Sequence, residues 1–177
     1  MAAEEFDPRT DRAFLAWARA VCDELWLGLG ETRGSNDFLE FLGKIFTDNG
    51  ELPAEHLAPL VQRRRIELAE RYMRLFIGQA RRETGLAVAE ALCSSPPDDR
   101  EPTGLTQVGD SVIRAIREPD VAVETAEAVQ DYVMARYRTV WPVCPVHRIG
   151  FHPVSADDAP AWECSAGEHR VPMLDSR

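Results

Sequence analysis

The stretch "WPVCPVHRIGFHP", residues 141–153, packs one Cys, two His and three Pro into thirteen positions. Upstream of it, apolar residues recur mostly at helical spacing. Downstream, through "RIGFHPV" and "APAWEC", short β-compatible pieces are punctuated by Pro, Gly and Asp and show no helical period. The segment therefore marks a change of architecture. Three of the four His and two of the four Cys of the chain fall between positions 144 and 169. Their spacing is Cys144-x2-His147, sixteen intervening residues, then Cys164-x4-His169 within "WECSAGEH", residues 162–169.

Two short chelating pairs separated by enough chain for a β-hairpin can set four donors around one tetrahedral ion, with tight turns at Pro145 and Gly167 aiming the side chains inward. Thiolate and imidazole favour zinc over magnesium or calcium, which take oxygen ligands. The expected set is Cys144, His147, Cys164 and His169, holding one structural zinc per chain. A stretch of about 36 residues with few large apolar side chains has little core of its own, which gives a metal crosslink a reason to exist. The competing reading is a Cys- and His-bearing tail without metal. His152 leaves an alternative open, since it can replace His147 or His169 as a ligand or lie outside the site.

Working outward from this segment, Asp7-Pro8 predicts a first helix carrying Phe14, Trp17, Ala18, Val21, Leu25 and Trp26. "DFLE" predicts a second, with Asp37 and Glu40 as a capping box and Phe38, Phe41, Leu42, Ile45 and Phe46 as its face, closed by Asn49-Gly50. A long third helix, with Leu57, Leu60, Val61, Leu68, Tyr72, Leu75 and Phe76 on one stripe, is expected to run to Gly78 or Gly85. "LAVAEALC" continues it or forms a short helix. "SSPPDDREPTG", residues 94–104, reads as a surface loop. "TQVGDSVIRAIRE" and "DVAVETAEAVQDYVMARYRTVW" predict two more helices.

The resulting expectation is a mainly α fold, a bundle of about five helices spanning residues 1–141, with a small zinc-ribbon-like β module at 142–177. The W-P-x-C-P-x-H and W-x-C knuckles resemble the C-terminal zinc-ribbon-like segment of small actinobacterial and phage proteins of uncharacterised function. The resemblance covers residues 141–170. His169, with four residues between it and Cys164, departs from that pattern. It implies a structural zinc and carries no activity.

A net charge of −10 and a pI near 4.9 argue against a surface that grips phosphate throughout. A local basic face remains on the third helix, where Arg63, Arg64, Arg71 and Arg74 are the residues for nucleic-acid contact. A solvated face paired with Glu67, Glu70 and Glu83, or with the acidic "EPDVAVETAE" segment, is the plainer reading. "GLGETRG", Gly28 to Gly34, has the wrong spacing for a phosphate loop and reads as a helix end. Cys22 and Cys93 read as small buried hydrophobes, and His56 as a surface residue.

No secretory signal pattern and no apolar run of membrane-spanning length are found, so a cytoplasmic protein without membrane contact is expected. The expected function is non-enzymatic: a binding, adaptor or regulatory protein acting on another protein, with no catalytic residues. The aromatic load of Trp17, Trp26, Phe38, Phe41 and Phe46 is a candidate for that surface. The alternative is a small zinc enzyme in which Cys144, His147 and Cys164 hold the metal, His169 or His152 is free, and Glu163 or Glu168 is the base. Nucleic-acid binding through the Arg-rich helix and the zinc module is the other.

Overall fold

The structure, a computed structural model, describes residues 6–29, 36–156, 159–167 and 169–173. Among these, four helices and two three-stranded antiparallel sheets alternate: α1 (Arg12–Glu24), α2 (Asp37–Asn49), α3 (Ala54–Thr84), β1 (Leu92–Ser95), β2 (Leu105–Val108), β3 (Ser111–Val112), α4 (Glu118–Tyr137), β4 (Phe151–Ala156), β5 (Ala159–Cys164) and β6 (Arg170–Pro172). The sheets are ordered β1-β2-β3 and β4-β5-β6. This mixed α/β architecture replaces the expected five-helix bundle with a small β module.

The chain forms two compact units, one of residues 1–62 and 96–104 and one of residues 63–95 and 105–177, so the boundary falls inside α3. The first unit is helical. Asp11, not Asp7, caps α1 by accepting from the Phe14 N–H at 2.8 Å, while Asp7-Pro8 forms a turn just before it. Asn36 caps α2 by accepting from the Leu39 N–H at 3.1 Å, which leaves Asp37 and Glu40 in the first turn, where carboxylates suit the helix dipole. Phe46 lies 5.5 Å from Phe14 and 5.4 Å from Trp17, centroid to centroid. The Trp17 indole N–H donates to the Leu52 carbonyl at 2.8 Å. Most of the aromatic load is thus spent in this core: Phe14, Trp17 and Phe38 are buried, and only Trp26 is left 68% exposed.

The second unit corrects two helix expectations. Gly85, at φ +72°, ends α3 and its N–H donates to the Arg81 carbonyl. "LAVAEALC" then runs extended into β1, because tertiary partners take its backbone groups. Arg81 Nε donates to the Val88 carbonyl at 2.8 Å, and the Tyr137 hydroxyl donates to Ala87 O and accepts from Ala89 N, each at 3.1 Å. "TQVGDSVIRAIRE" forms the β2–β3 hairpin, in which Val108 pairs with Ser111 across the two-residue loop Gly109-Asp110. Gly109 adopts φ +60°, and a Cβ there would approach the Tyr132 ring at 3.1 Å, so both conformation and space call for glycine.

One apolar cluster runs through this unit, from Tyr72, Phe76 and Ile77 of α3 and Val121, Val129 and Val133 of α4 to Val108 and Ile113 at the first sheet and Phe151 and Trp162 of the second. The C-terminal sheet is therefore built into a core shared with α3 and α4, not appended to a finished bundle. Among the described residues no helix is long and apolar enough to cross a membrane.

Candidate metal centre

Two backbone turns build the centre. In the first, the Arg148 N–H donates to the Cys144 carbonyl and the Cys144 N–H to the Ile149 carbonyl, both at 2.8 Å, while Val143 bridges to Gly150. Arg148 takes φ +57° to close it. The His147 N–H points at Cys144 Sγ, 3.4 Å away. In the second turn, beginning at the end of β5, the Gly167 N–H donates to the Cys164 carbonyl at 2.7 Å, with Gly167 at φ +71°. The Cys164 N–H donates to the His169 carbonyl at 3.1 Å, which places His169 just ahead of β6.

The two turns are fastened to each other and to the core. Ser165 Oγ donates to the Gly150 carbonyl at 2.7 Å, and Gln130 of α4 donates to the Phe151 carbonyl at 2.6 Å. Trp162 of β5 lies edge-on to Trp141 and to Phe76, with centroids 5.6 and 5.9 Å apart. The Trp141 indole donates to Glu83 at 2.9 Å. Each chelating turn thus hangs from a buried tryptophan close by in the chain.

Cys144, His147, Cys164 and His169 come together so that one donor atom from each lies within 4.8 Å of all the others. Both thiols are fully buried and both imidazoles partly so. Cys144 Sγ is 3.6 Å from His147 Nδ1 and 3.4 Å from His169 Nε2, and Cys164 Sγ is 3.3 Å from His147 Nδ1. Metal–sulfur bonds of about 2.3 Å and metal–nitrogen bonds of about 2.0 Å at tetrahedral angles put sulfur and nitrogen about 3.5 Å apart. The four residues are close enough to hold a metal ion, and the donor chemistry is compatible with zinc.

Burial alone would raise the Cys144 thiol. The backbone N–H groups of His147 and Val146, the His147 ring and Cys164 outweigh it and bring the group from the ordinary 9.0 to about 6. Donors that stabilise a thiolate favour a metal in the same way, since the ligand form is the thiolate. The rings of His147 and His169 lie 5.4 Å apart, and Phe151 meets His169 edge-on, so His169 has apolar support.

His152 stands outside this cluster. It pairs across the ladder with Glu163, its Nε2 3.2 Å from Glu163 Oε2, while Arg170 Nε donates to Glu163 Oε1 at 2.6 Å. The Arg170 guanidinium, ahead of His152, holds the Glu163 carboxyl below its usual range. Glu168 lies outside the described residues, as do residues 30–34 of the "GLGETRG" segment.

The remaining singled-out residues are scattered. Cys22 is buried in α1, its thiol pushed up to about 12 by burial and then by Asp23. Cys93, expected to be buried in a helix, is instead exposed on β1, 3.5 Å from Gln107 Oε1. His56 is a surface residue beside Glu55. Of the Arg-rich face, Arg63 is exposed, Arg74 pairs with Glu70 at 2.5 Å, and Arg71 reaches past Glu67 to Glu118 and the Tyr72 hydroxyl. That three-residue contact joins α3 to the start of α4. It pairs the Arg-rich face with the acidic "EPDVAVETAE" segment, residues 118–127, one of the partners the sequence offered for it.

Compared with protein-family models, curated proteins and solved structures, the chain matches none.

Proposed function

We propose that Cys144, His147, Cys164 and His169 hold one zinc ion whose role is structural, and that the protein works by binding another protein. The observation that carries the metal assignment is the set of sulfur–nitrogen separations, 3.3 to 3.6 Å, around two fully buried cysteines. Zinc at this position would crosslink the 144–148 turn to the 164–169 turn and satisfy two thiolates and two imidazoles at once.

A structural role is favoured over a catalytic one by the donor count, because four protein ligands complete a tetrahedron and leave no position for water. Glu163, the described carboxylate nearest in sequence, is engaged by Arg170 and His152 and sits on a ladder pair with His152, not in the donor set. Binding is favoured over nucleic-acid contact by the acidic net charge, with Arg71 and Arg74 engaged by carboxylates of their own chain.

Elemental analysis of untagged protein purified without added metal tests the assignment. About one zinc per chain is expected in the wild type, with loss of zinc and of the C-terminal sheet in Cys164→Ser. A wild type without zinc, with its buried thiols free to react with a thiol reagent, overturns it.

A further inference from the structure

The first unit carries a cleft of about 400 Å³ between the end of α1 and residues 51–55, which lead into α3. Part of its lining is apolar: Trp17, Val21 and Ala54, all buried, and the exposed Pro53. Every charged residue of the lining is acidic, namely Glu24, Glu51 and Glu55, and all three are exposed. The unit around it is acidic too. Residues 1–62 and 96–104 hold fifteen Asp and Glu against six Lys and Arg, while the rest of the chain holds fifteen against fourteen. Nearly all of the net charge of −10 therefore belongs to the unit that bears this cleft.

Local structure accounts for one of the three carboxylates. Glu55 suits the first turn of α3 and lies 3.9 Å from His56. Glu24 ends α1 and Glu51 follows the C-cap of α2, positions where a carboxylate opposes the helix dipole, and neither helix has a basic residue in its last turn. Among the described residues neither Glu24 nor Glu51 makes a hydrogen bond or an ion pair. By contrast, Glu40 pairs with Arg9 and Asp48 with Lys44, while Asp7 and Asp11 accept backbone N–H groups. Asp23 and Asp99 are the other described carboxylates of this unit without such a bond, so half of them stand at one cleft.

We propose that this cleft docks a basic segment of a partner protein through its Lys and Arg side chains. The inference rests on the reading of the chain as a protein that binds another protein, and names a surface and a ligand class for it. An alkyl stem with a cationic head matches an apolar lining edged by carboxylates. The three glutamates are not grouped tightly enough for a metal ion, since the Cys and His set is the only such group among the described residues. Spread carboxylates suit several cationic side chains in place of one ion. The same charge repels phosphate backbones and anionic lipids.

The test is selection of a displayed library of short random peptides against the full-length protein, followed by titration of the enriched peptides in solution at several salt concentrations. Enrichment of sequences rich in Lys or Arg is expected. Their affinity should fall about fivefold or more in Glu24→Gln/Glu51→Gln at low salt, and the gap to wild type should close as salt screens the pairs. The melting temperature of that variant should not fall, because neither side chain has a partner to lose and Glu24 opposes its helix dipole. Ala20→Lys, which sets a cation on an exposed position of the cleft lining, should weaken the same peptides at least as much. Enriched peptides without basic residues, or basic ones whose affinity is unchanged in both variants, overturn this site and leave the protein-binding reading standing. No enriched peptide at all overturns both. Spermine that displaces the peptides at equal charge concentration would replace the segment with a small polyamine. A dimer that Glu24→Gln/Glu51→Gln dissociates would replace it with a second copy of this chain.

Discussion

The two sheets of the second unit have the same strand count and the same antiparallel pairing, yet they are held by different means. At β1–β3 the buried Val108 and Ile113, the latter just after β3, lie in one core cluster with α4, and no cluster of metal-ligating side chains lies there among the described residues. In β4–β6, Phe151 and Trp162 supply the apolar contact, but the turns beside the strands carry the four Cys and His donors. A hairpin turn such as Gly109-Asp110 is fixed by local backbone geometry. A pair of turns separated in sequence, like those at 144–148 and 164–169, needs a link between them. Zinc would be that link.

The largest effect that can break this comparison is removal of the link. Chelation, or Cys164→Ser, is expected to remove the metal and the hydrogen-exchange protection of Phe151–Cys164 while sparing much of Leu105–Val112. Structural zinc sites in small peptides are worth roughly 10–16 kcal/mol of binding. Equal loss of protection in both sheets would mean that they fold as one element. Ile113→Ala is the complementary change: a cost of about 2–5 kcal/mol in urea unfolding, with one zinc per chain retained. Zinc loss in that variant would erase the distinction between the sheets.

Gly109→Ala sharpens it further. Holding alanine in the left-handed region costs about 1–2 kcal/mol, and its Cβ would press on Tyr132 at 3.1 Å. A lowered urea midpoint with unchanged zinc content is expected. An unchanged midpoint would show that the loop relaxes freely.

The smallest effect concerns the partly exposed Arg71–Tyr72–Glu118 contact that joins α3 to α4. Burial opposes ionisation of Glu118, but the Tyr72 hydroxyl and the Arg71 guanidinium prevail, so its carboxyl titrates below the ordinary 4.5. A depressed carboxylate stabilises the fold above its unfolded value and loses that contribution as pH falls through the folded one. Glu118→Gln should therefore cost under about 1 kcal/mol near neutrality, and the gap to wild type should close on acidification below the usual carboxylate range. A gap that widens with acid would contradict the assignment.

Helices α1 to α3 were legible because their apolar stripes and caps are local signals, although the caps sit at Asp11 and Asn36, close to the residues expected. The β2–β3 hairpin was misread for a physical reason. Val108, Val112, Ile113 and Ile116 recur at spacings a helix also satisfies, and the short strands leave little alternation to count. The Gly109-Asp110 pair was the signal for it. Cys93 was misplaced with its segment, since a residue expected on a helix became an exposed position on β1.

The sequence by itself determined the chemistry of the centre. Cys144-x2-His147 and Cys164-x4-His169 are the right donor types at short chelating distances, and that information is local. The tertiary structure decided that these two pairs meet and that His152 turns instead to Glu163. Those outcomes depend on strand register and on packing against α3 and α4. One residue of slip would exchange the two faces of a strand, and no spacing within the sequence fixes that choice.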